Sequence, residues 1–306
     1  MDYVIGLDIG GTKIAAIVIN QYKEICYRSE VPSHATGKEE MFKQVVRCVE
    51  DVLRKSNLHT SEVLGIGVGI PGKIDRENGI AVYQNNLPWS NFPVVERLKD
   101  YFSIKKVTID NDVYMAALAE WNISDLQKED SFVFVTVSTG ISCAIINQGT
   151  FMRGAGFAGE IGLFPVVSKL SPNGYKGLEK AASGPAMEML AREMYNGPEM
   201  TTTDVFQGYH AGNEKSKQVV NEAVTSLAHG IYSIICLVDP NKIVFGGGVM
   251  NNNPYLLELI KDEIKQYMIP EQYDALKRMH VSHYKENAGV IGAGMCALMN
   301  ENEMVK

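Results

Sequence analysis

The sequence predicts an α/β protein built from two domains of similar design. Three observations support this: the length, the alternation of short apolar runs with amphipathic helical segments, and a strand–turn–strand unit that occurs twice. The chain has 306 residues, and two domains are expected because a domain typically contains about 100–200 residues. A chain of this length should bury about three quarters of its unfolded surface, so its core needs no metal or disulfide.

The first part of the chain has the predicted order βββαβαβα. Residues 3–9, 14–19 and 25–31 are apolar, β-rich runs separated by short polar breaks, which predicts a three-stranded meander. From residue 37 to 56 the apolar side chains recur at helical spacing. The predicted order then continues with a strand at 63–68, a Gly/Pro turn, a helix near 94–102, a strand at 107–109 and a helix from about Asp112.

The opening unit returns in the second half of the chain. An ungapped offset that places DIGGTKIAAIVINQ over VTVSTGISCAIINQ matches Thr12 with Thr139 and Asn20 with Asn147. Such identities can also arise between two unrelated apolar hairpins, but both turns carry a Thr beside a Gly at the tip. The remaining predicted elements are helices at 178–195 and 216–238, a strand at 242–245, a helix around 254–268, a strand at 279–282 and a helix from about 288.

Composition excludes several classes of partner and location. The 29 basic and 36 acidic residues give a net charge of −7 without a basic run, so we expect neither nucleic acid nor a membrane as a partner. The five cysteines are scattered with no CxxC pair, which argues against a disulfide framework or a cysteine-rich zinc site. The N-terminus lacks the pattern of a signal peptide, and no apolar run reaches about 20 residues. We predict a cytoplasmic protein.

Residues 67–73, GVGIPGK, match two phosphate-binding patterns that we interpret as false. A P-loop needs Ser or Thr after its Lys, and the chain has Ile74 there; Pro71 also has no N–H to offer a phosphate. Both patterns must open a helix, and the following KIDRENG has no helical periodicity. A tight turn after a buried strand, which brings the backbone close to a ligand, fits better.

Asp8-Ile9-Gly10-Gly11-Thr12-Lys13 forms the first candidate site. The two glycines allow close approach of the backbone, Thr12 offers a hydroxyl, and Lys13 offers a cation suited to phosphate. Asp8 ends an otherwise apolar strand and needs a cation, a metal ion or water to offset its desolvation. A glycine turn with a solvated Asp and Lys is an equally good interpretation of these residues alone.

A longer set of motifs resembles one family. They are DIGGTK at 8–13, GIPG at 69–72, NDVYMAALAE at 111–120, STGIS at 138–142, GFAGEIG at 156–162, GLEKAASG at 177–184, FGGGV at 245–249 and GVIGAGMCAL at 289–298. In this order they resemble the ROK family of sugar kinases and sugar-responsive regulators, within the hexokinase and actin-like ATPase group. The resemblance implies two RNase-H-like domains, residues 1–120 with 288–306 and residues 121–287, with a ligand cleft between them.

The resemblance also assigns the sugar-binding residues. Asp112 aligns with the catalytic base of the family and Asn111 with its sugar-binding neighbour, while Gly69 belongs to the turn that approaches the ligand. An Asp at a strand end can accept a proton from a sugar hydroxyl, but Asp112 would also suit the N-cap of the following helix. Glu160 and Glu179 align with carboxylates that accept hydrogen bonds from sugar hydroxyls. Taken alone, each would more often be a surface charge or, for Glu179, part of the first turn of a helix.

A second group of residues would bind ATP. The resemblance implies that Asp8, Gly10, Gly11, Thr12 and Lys13 face the phosphates, with Mg²⁺ held by Asp8 through water. Thr139 and Gly140 resemble the second phosphate loop of the family, although Ser138 replaces its first glycine. Gly247 and Gly248 resemble the adenosine platform; a glycine-rich strand-to-helix turn is the alternative interpretation.

The sequence departs from the family pattern at the zinc site. Zinc-bearing members have a His three residues after the sugar-binding Glu and a cysteine cluster before the second Glu. Here the first position is Leu163, and residues 163–178 contain no Cys or His, so we expect no zinc. The loss of an imidazole contact to the sugar predicts a different or substituted sugar, or weak binding.

The first hypothesis is therefore an ATP-dependent hexose kinase that uses Mg²⁺ and forms a homodimer. In this hypothesis the sugar lies in the cleft, and hinges near 121–128 and 285–288 close over it. The alternative is a non-catalytic sugar-binding or regulatory protein without a DNA-binding domain, since the first strand begins at residue 3. An actin-like or chaperone-like ATPase gives no reason for the pair Glu160 and Glu179.

Overall fold

The computed structural model describes residues 2–33, 36–84, 86–168 and 170–299. The chain divides into two compact units, Met1–Asp125 with Asn287–Lys306, and Leu126–Glu286. Each unit has its own sheet and its own apolar core.

In its described residues, the first unit contains eight strands and three α-helices before the chain leaves it. The strands are β1 (Tyr3–Ile9), β2 (Lys13–Asn20), β3 (Ile25–Pro32), β4 (Val63–Ile70), β5 (Lys73–Asp75), β6 (Ile80–Tyr83), β7 (Ser90–Phe92) and β8 (Val107–Asn111). The helices are α1 (Lys38–Ser56), α2 (Val94–Phe102) and α3 (Asp112–Asn122). The predicted order βββαβαβα is confirmed for the main elements, and the strand β5 after Gly72 confirms that no phosphate-binding helix follows GVGIPGK.

The main sheet of this unit has the order β3-β2-β1-β4-β8. β1, β2 and β3 form the predicted antiparallel meander, and β4 and β8 add to β1 in parallel. In this register Asp8 pairs with Gly69, and Gly69 pairs with Asp110. The carboxyl ends of three neighbouring strands therefore lie at one edge of the sheet.

A separate three-stranded sheet, β5-β6-β7, was not predicted from the sequence. Its strands have three or four residues each, and most of their side chains are partly or fully exposed. Strands this short carry too few residues for an alternating pattern to be recognised. The sheet continues directly from the turn after β4, and it places the segment that follows Gly72 next to β8.

The described part of the second unit contains seven strands and seven α-helices. The strands are β9 (Ser131–Val137), β10 (Ile141–Asn147), β11 (Thr150–Phe151), β12 (Pro165–Val167), β13 (Tyr175–Gly177), β14 (Lys242–Gly246) and β15 (Met279–Val281). The helices are α4 (Leu178–Ala182), α5 (Gly184–Tyr195), α6 (Thr202–His210), α7 (Glu214–Val238), α8 (Gly248–Asn252), α9 (Leu256–Lys265) and α10 (Asp274–Lys277). Its main sheet has the order β11-β10-β9-β14-β15.

The two sheets share the predicted strand–turn–strand unit. β9 and β10 form an antiparallel hairpin, as β1 and β2 do, and β14 pairs with β9 in parallel, as β4 pairs with β1. The repeat that the sequence indicated is therefore a structural repeat.

The structure corrects the predicted helix at 178–195. The helical segment is interrupted at Ser183, whose hydroxyl accepts a hydrogen bond from the Ala186 N–H at 3.3 Å and begins α5. Pro185 supports the new start, because it lacks the N–H that a continuing helix would need. Helix α6 was also not predicted, although Thr201 and Asp204 form a capping box at its start.

The chain returns to the first unit with α11 (Ala288–Leu298), which packs on β1, β4 and α3. A Cβ at Gly6 would lie 2.2 Å from the Val290 carbonyl oxygen, and one at Gly67 would lie 1.8 Å from that of Ala293. Only glycine permits this approach of helix and sheet. Ile5 and Leu7 point to the opposite face and join α1 in the core.

Helix α7 is the one described helix long and apolar enough to cross a membrane by composition. About two thirds (67%) of its apolar window is buried inside the protein, and its residues form the centre of the apolar core of the second unit. This is the pattern of a core helix.

Candidate active site

In the first unit, the candidate residues gather where β1, β4 and β8 end. Asp8, Gly69 and Asp110 are neighbours in register. A Cβ at Gly69 would lie 3.6 Å from the Cα of Asp112 and 3.4 Å from the Met115 side chain. The predicted ligand-facing glycine therefore borders the start of α3, beside the predicted base.

Asn111 and Asp112 form the corner between β8 and α3. Asn111 is the N-cap: its Oδ1 accepts a hydrogen bond from the Val113 N–H at 2.9 Å, and its Nδ2 donates to the Gly72 carbonyl at 3.1 Å. The N-cap interpretation of Asp112 was therefore wrong by one residue. Asp112 is the first helical residue, and its Oδ1 lies 3.0 Å from the same N–H.

Asp8 is half-buried near a second carboxylate. Burial raises the pKa of Asp8 to about 7, and the negative charge of Asp112 adds to this, while Lys13 and Arg28 act in the opposite direction. The first turn of α11 lies against Asp8, because a Cβ at Gly289 would be 3.0 Å from its Oδ2. The positive charges of Lys13 and Arg28 therefore do not fully offset the effect of burial and of Asp112 on the pKa of Asp8.

The Gly10–Lys13 turn is closed by its own backbone. The Gly10 N–H donates to the Lys13 carbonyl at 3.0 Å, and the Ser33 hydroxyl donates to the Gly10 carbonyl at 2.6 Å. Gly11 approaches Asn86 closely, since a Cβ would lie 2.9 Å from that side chain. Thr12 and Lys13 are exposed, and the Lys13 ammonium pairs with Glu30 at 3.0 Å.

In the second unit, Glu160 and Glu179 lie close enough to influence each other. Partial burial raises the pKa of Glu160, and the negative charge of Glu179 raises it further. Glu179 lies in the first turn of α4, and its Oε2 accepts a hydrogen bond from the Ile141 N–H at 3.0 Å. A Cβ at Gly140 would lie 2.7 Å from this oxygen. One predicted sugar carboxylate therefore contacts the turn predicted to bind phosphate.

Several protein contacts hold the segment between the two glutamates. β12 and β13 form a hairpin, the Leu178 N–H donates to the Phe164 carbonyl at 2.8 Å, and the buried Ser168 hydroxyl donates to Glu222 on α7. Leu163, which replaces the family His, is 71% exposed. Among the described residues, no three His, Cys, Asp or Glu side chains come together as a metal site.

The second phosphate-type turn lies beside the glycine run that ends β14. The Ser138 N–H donates to the Gly140 carbonyl at 2.9 Å. Gly247 has φ +86°, and a Cβ there would lie 2.5 Å from the Val137 carbonyl oxygen, so this position requires glycine. A Cβ at Gly248 would lie 3.5 Å from the Ser138 hydroxyl.

These two turns open into a cavity of about 710 Å³ within the second unit. Its volume lies in the range of about 300–1,000 Å³ that is usual for small-molecule sites. Helices α5, α6 and α8 form its walls. It is lined by Ser138, Thr139, Gly184, Pro185, Glu188, Thr202, Thr203, Phe206, Gln207, His210, Gly248, Val249, Asn252 and Asn253.

The family model described as "ROK family" matches residues 4–300. The chain belongs to the ROK family. A curated relative, a glucokinase from Halalkalibacterium halodurans, is 29% identical, with 99% of this chain and 97% of the relative covered.

Two solved structures agree with this assignment. A ROK hexokinase from Thermus thermophilus has a TM-score of 0.79 at 30% identity and covers 96% of this chain and 97% of its own. A ROK glucokinase from Streptomyces griseus, solved with glucose and AMPPNP, has a TM-score of 0.78 at 23% identity, with 96% and 98% covered. The predicted fold class, two RNase-H-like domains of the actin-like ATPase group, is confirmed.

Sequence reasoning missed most of the cavity wall of this ROK protein. It named Thr139 and Gly248, which line the cavity, and Gly140 and Gly247, which lie next to it. The residues from α5 and α6 were not named. The signal that could have found them is the TTTD sequence at 201–204, whose capping box begins α6 and places Thr202 and Phe206 in the wall.

Proposed function

We propose that this ROK protein is an ATP-dependent kinase that transfers the γ-phosphate to a hydroxyl of a hexose or hexose derivative. The observation that carries the proposal is the corner at Asn111 and Asp112, where a carboxylate starts α3 beside the ends of three strands. A non-catalytic sugar-binding protein needs hydrogen-bonding groups for the sugar but no base at this position.

Asp112 acts as the general base in this mechanism. It accepts the proton of the attacking sugar hydroxyl as the oxygen forms its bond to the γ-phosphorus and the bond from that phosphorus to the ADP oxygen breaks. Asn111 keeps one amide hydrogen and one lone pair beyond its contacts with Gly72 and Val113. Those groups hydrogen-bond the sugar. Gly69 borders the start of α3 beside Asp112.

Glu160 and Glu179 bind sugar hydroxyls as acceptors. The raised pKa of Glu160 reflects burial and the charge of Glu179, and hydroxyl donors from a sugar would relieve this repulsion. The hydrogen bond from Ile141 fixes the direction of Glu179. Because Glu179 also touches Gly140, sugar binding and the position of the phosphate turn are coupled through one side chain.

The 710 Å³ cavity binds the nucleoside of ATP. Gly248, which lines the cavity, presents backbone without a side chain, and Phe206 and His210 lie one helical turn apart on its wall. Thr139, which lines the cavity, and Gly140, which follows it, face the phosphates in this proposal. In the first unit, Gly10, Gly11, Thr12 and Lys13 form the other phosphate-facing turn; Lys13 would exchange Glu30 for a phosphate oxygen.

Asp8 fits a Mg²⁺ ion that travels with ATP. Its carboxylate is half-buried beside Asp112, and a cation would remove the repulsion that raises its pKa. When bound, Mg²⁺ neutralises charge on the β- and γ-phosphate oxygens, and Asp8 would hold it through water.

The acceptor sugar carries a substituent, in our proposal. Phe157 and Leu163 flank Glu160 on one turn: the Glu160 N–H donates to the Phe157 carbonyl at 3.3 Å, and the Leu163 N–H donates to the Glu160 carbonyl at 3.1 Å. Both side chains are more than 70% exposed. Apolar surface beside a hydroxyl-binding carboxylate favours a glycoside or N-acyl group over a free hydroxyl.

An ADP-release screen tests the function and the substrate class together. Glucose, N-acetylhexosamines and β-glucosides are each supplied with ATP and Mg²⁺, and Asp112→Asn protein is the control. We expect release above background for at least one sugar, highest for a substituted one. If no sugar in the panel raises ADP release above background, the regulatory alternative is favoured. Equal rates for glucose and all glycosides would refute the proposal that the acceptor sugar carries a substituent.

We also propose a homodimer and a cytoplasmic location. Light scattering on the purified protein measures its oligomeric state directly, and a monomer at micromolar concentration would refute the homodimer.

A further inference from the structure

Asp110 is a buried charge that none of these roles uses. It is the fourth residue of β8 and 2% exposed. Its Oδ1 accepts a hydrogen bond from the Asn111 N–H at 2.8 Å, and its Oδ2 lies 3.2 Å from the Arg76 Nε. A carboxylate is expensive to bury unless it is paired and hydrogen-bonded, and here both conditions are met.

The two contacts of Asp110 connect the corner at Asn111 to a different part of the first unit. Arg76 follows β5, the first strand of the small sheet that begins after Gly72. Gly72 also accepts the hydrogen bond from the Asn111 side chain at 3.1 Å. The segment from Gly72 to Arg76 therefore holds the corner at two points, through the Asn111 amide and through Asp110.

We propose that Asp110, with Arg76 as its counter-ion, is a positioning residue for the sugar site. By accepting the Asn111 N–H, its carboxylate orients the peptide between the last residues of β8 and so sets the directions of the Asn111 and Asp112 side chains. This inference rests on the proposed function, because those two side chains are its targets.

Kinetic measurements can distinguish this positioning role from a merely structural one. A structural ion pair stabilises the fold, and its loss lowers the amount of active protein without changing the affinity of each active molecule for sugar. A positioning residue changes the KM for sugar and kcat in every molecule, because misplacement of reacting groups by about 1 Å can cost roughly 100-fold in rate. The KM for ATP should stay the same, since the nucleoside cavity lies within the other unit.

The test compares Asp110→Asn, Arg76→Gln and the double variant by steady-state kinetics with the best sugar from the screen. Asn keeps an oxygen for the Asn111 N–H but removes the charge that Arg76 needs, and the Arg76 side chain is partly exposed, so its replacement should fold. Ser29→Ala is the matched control: it removes a buried hydrogen bond to Asp51 in the same unit, away from the corner.

We expect both single variants to raise the KM for sugar several-fold and to lower kcat by about 10–100-fold, with the KM for ATP unchanged. The double variant should be no worse than the poorer single one, because the pair acts as a unit. Ser29→Ala should alter the thermal midpoint alone. An unchanged KM for sugar in Asp110→Asn and Arg76→Gln, with an active wild type, overturns the positioning role alone; an inactive wild type overturns the proposed function and this role together.

Discussion

Asn111 Oδ1 accepts the hydrogen bond of the Val113 N–H at 2.9 Å, which makes Asn111 the cap of α3 and leaves Asp112 inside the first turn. The helix therefore does not depend on Asp112 for its cap. This relationship allows catalysis and stability to be separated by mutation at two adjacent positions.

Asp112→Asn should lower kcat by about 10²–10⁴-fold, because a positioned general base typically contributes that much. The thermal midpoint should change little, since Asn111 still caps the helix. Asn111→Ala should instead cost about 1 kcal/mol of unfolding free energy. Steady-state kinetics and urea titrations measure both effects. If Asp112→Asn keeps more than a tenth of the wild-type kcat, Asp112 is not the base.

Asp8→Asn should stabilise the ligand-free protein at alkaline pH while it removes activity. The folded pKa of about 7 exceeds the ordinary value of 3.8, so the folded state binds the proton more tightly than the unfolded state. The ionised Asp8 then costs stability above pH 7, of order 2–4 kcal/mol by linkage. This cost declines as the pH falls through 7 and disappears near pH 4.

Urea titrations of both proteins at several pH values measure this difference. The free energy of unfolding of Asp8→Asn should exceed that of the wild type at pH 8 and equal it near pH 4. A constant difference across this range would show that the pKa of Asp8 is not raised.

Removal of zinc should have no effect, while removal of Mg²⁺ should stop the reaction. Residues 163–178 offer no Cys or His, and phosphoryl transfer needs a divalent cation on the phosphate oxygens. Dialysis against a zinc chelator, followed by excess Mg²⁺, should leave the rate and the thermal midpoint unchanged. Elemental analysis that finds about one tightly bound zinc per chain would contradict this prediction.

The contact between Ser168 and Glu222 should support the segment between Glu160 and Glu179, which we propose to bind the sugar. Ser168→Ala removes a buried hydrogen bond and should cost about 1–3 kcal/mol of unfolding free energy. The KM for sugar should rise as well, because the β12–β13 hairpin joins Glu160 to Glu179. Ser171→Ala is the control: its hydroxyl donates to the Tyr175 carbonyl in an exposed part of the same loop, and its cost should be within about 0.5 kcal/mol. An equal loss of unfolding free energy in Ser168→Ala and Ser171→Ala would show that the Ser168–Glu222 hydrogen bond does not hold this segment in place.

Much of the fold could be predicted because its signals are local. The meander of β1 to β3 and the periodic helix α1 follow from runs of apolar side chains with period two or 3.6. The repeated hairpin could be recognised because each turn, at Thr12 and at Thr139, has a Thr beside a Gly between two buried strands. The break in the helix at Ser183 was not predicted because the apolar periodicity continues through it. The new helix start depends instead on the Ser183 hydroxyl and on Pro185.

The order of motifs along the chain indicated the family and the candidate residues. The roles of Asp8, Asp112, Glu160 and Glu179 stay predictions, yet the structure places each in a defined environment. The pKa of Asp8 is raised by burial and by Asp112, a residue far away in the sequence. A local sequence pattern cannot show that these two carboxylates are close in space.

The sequence by itself determined most strands of the two five-stranded sheets, most of the long helices and the residue types available at the candidate site. Only the tertiary structure decided that Asp110 pairs with Arg76, that Glu179 contacts Gly140, and that α6 closes a wall of the cavity. The physical reason is that strand and helix periodicity is set by neighbours along the chain, whereas register, burial and charge pairing are set by neighbours in space.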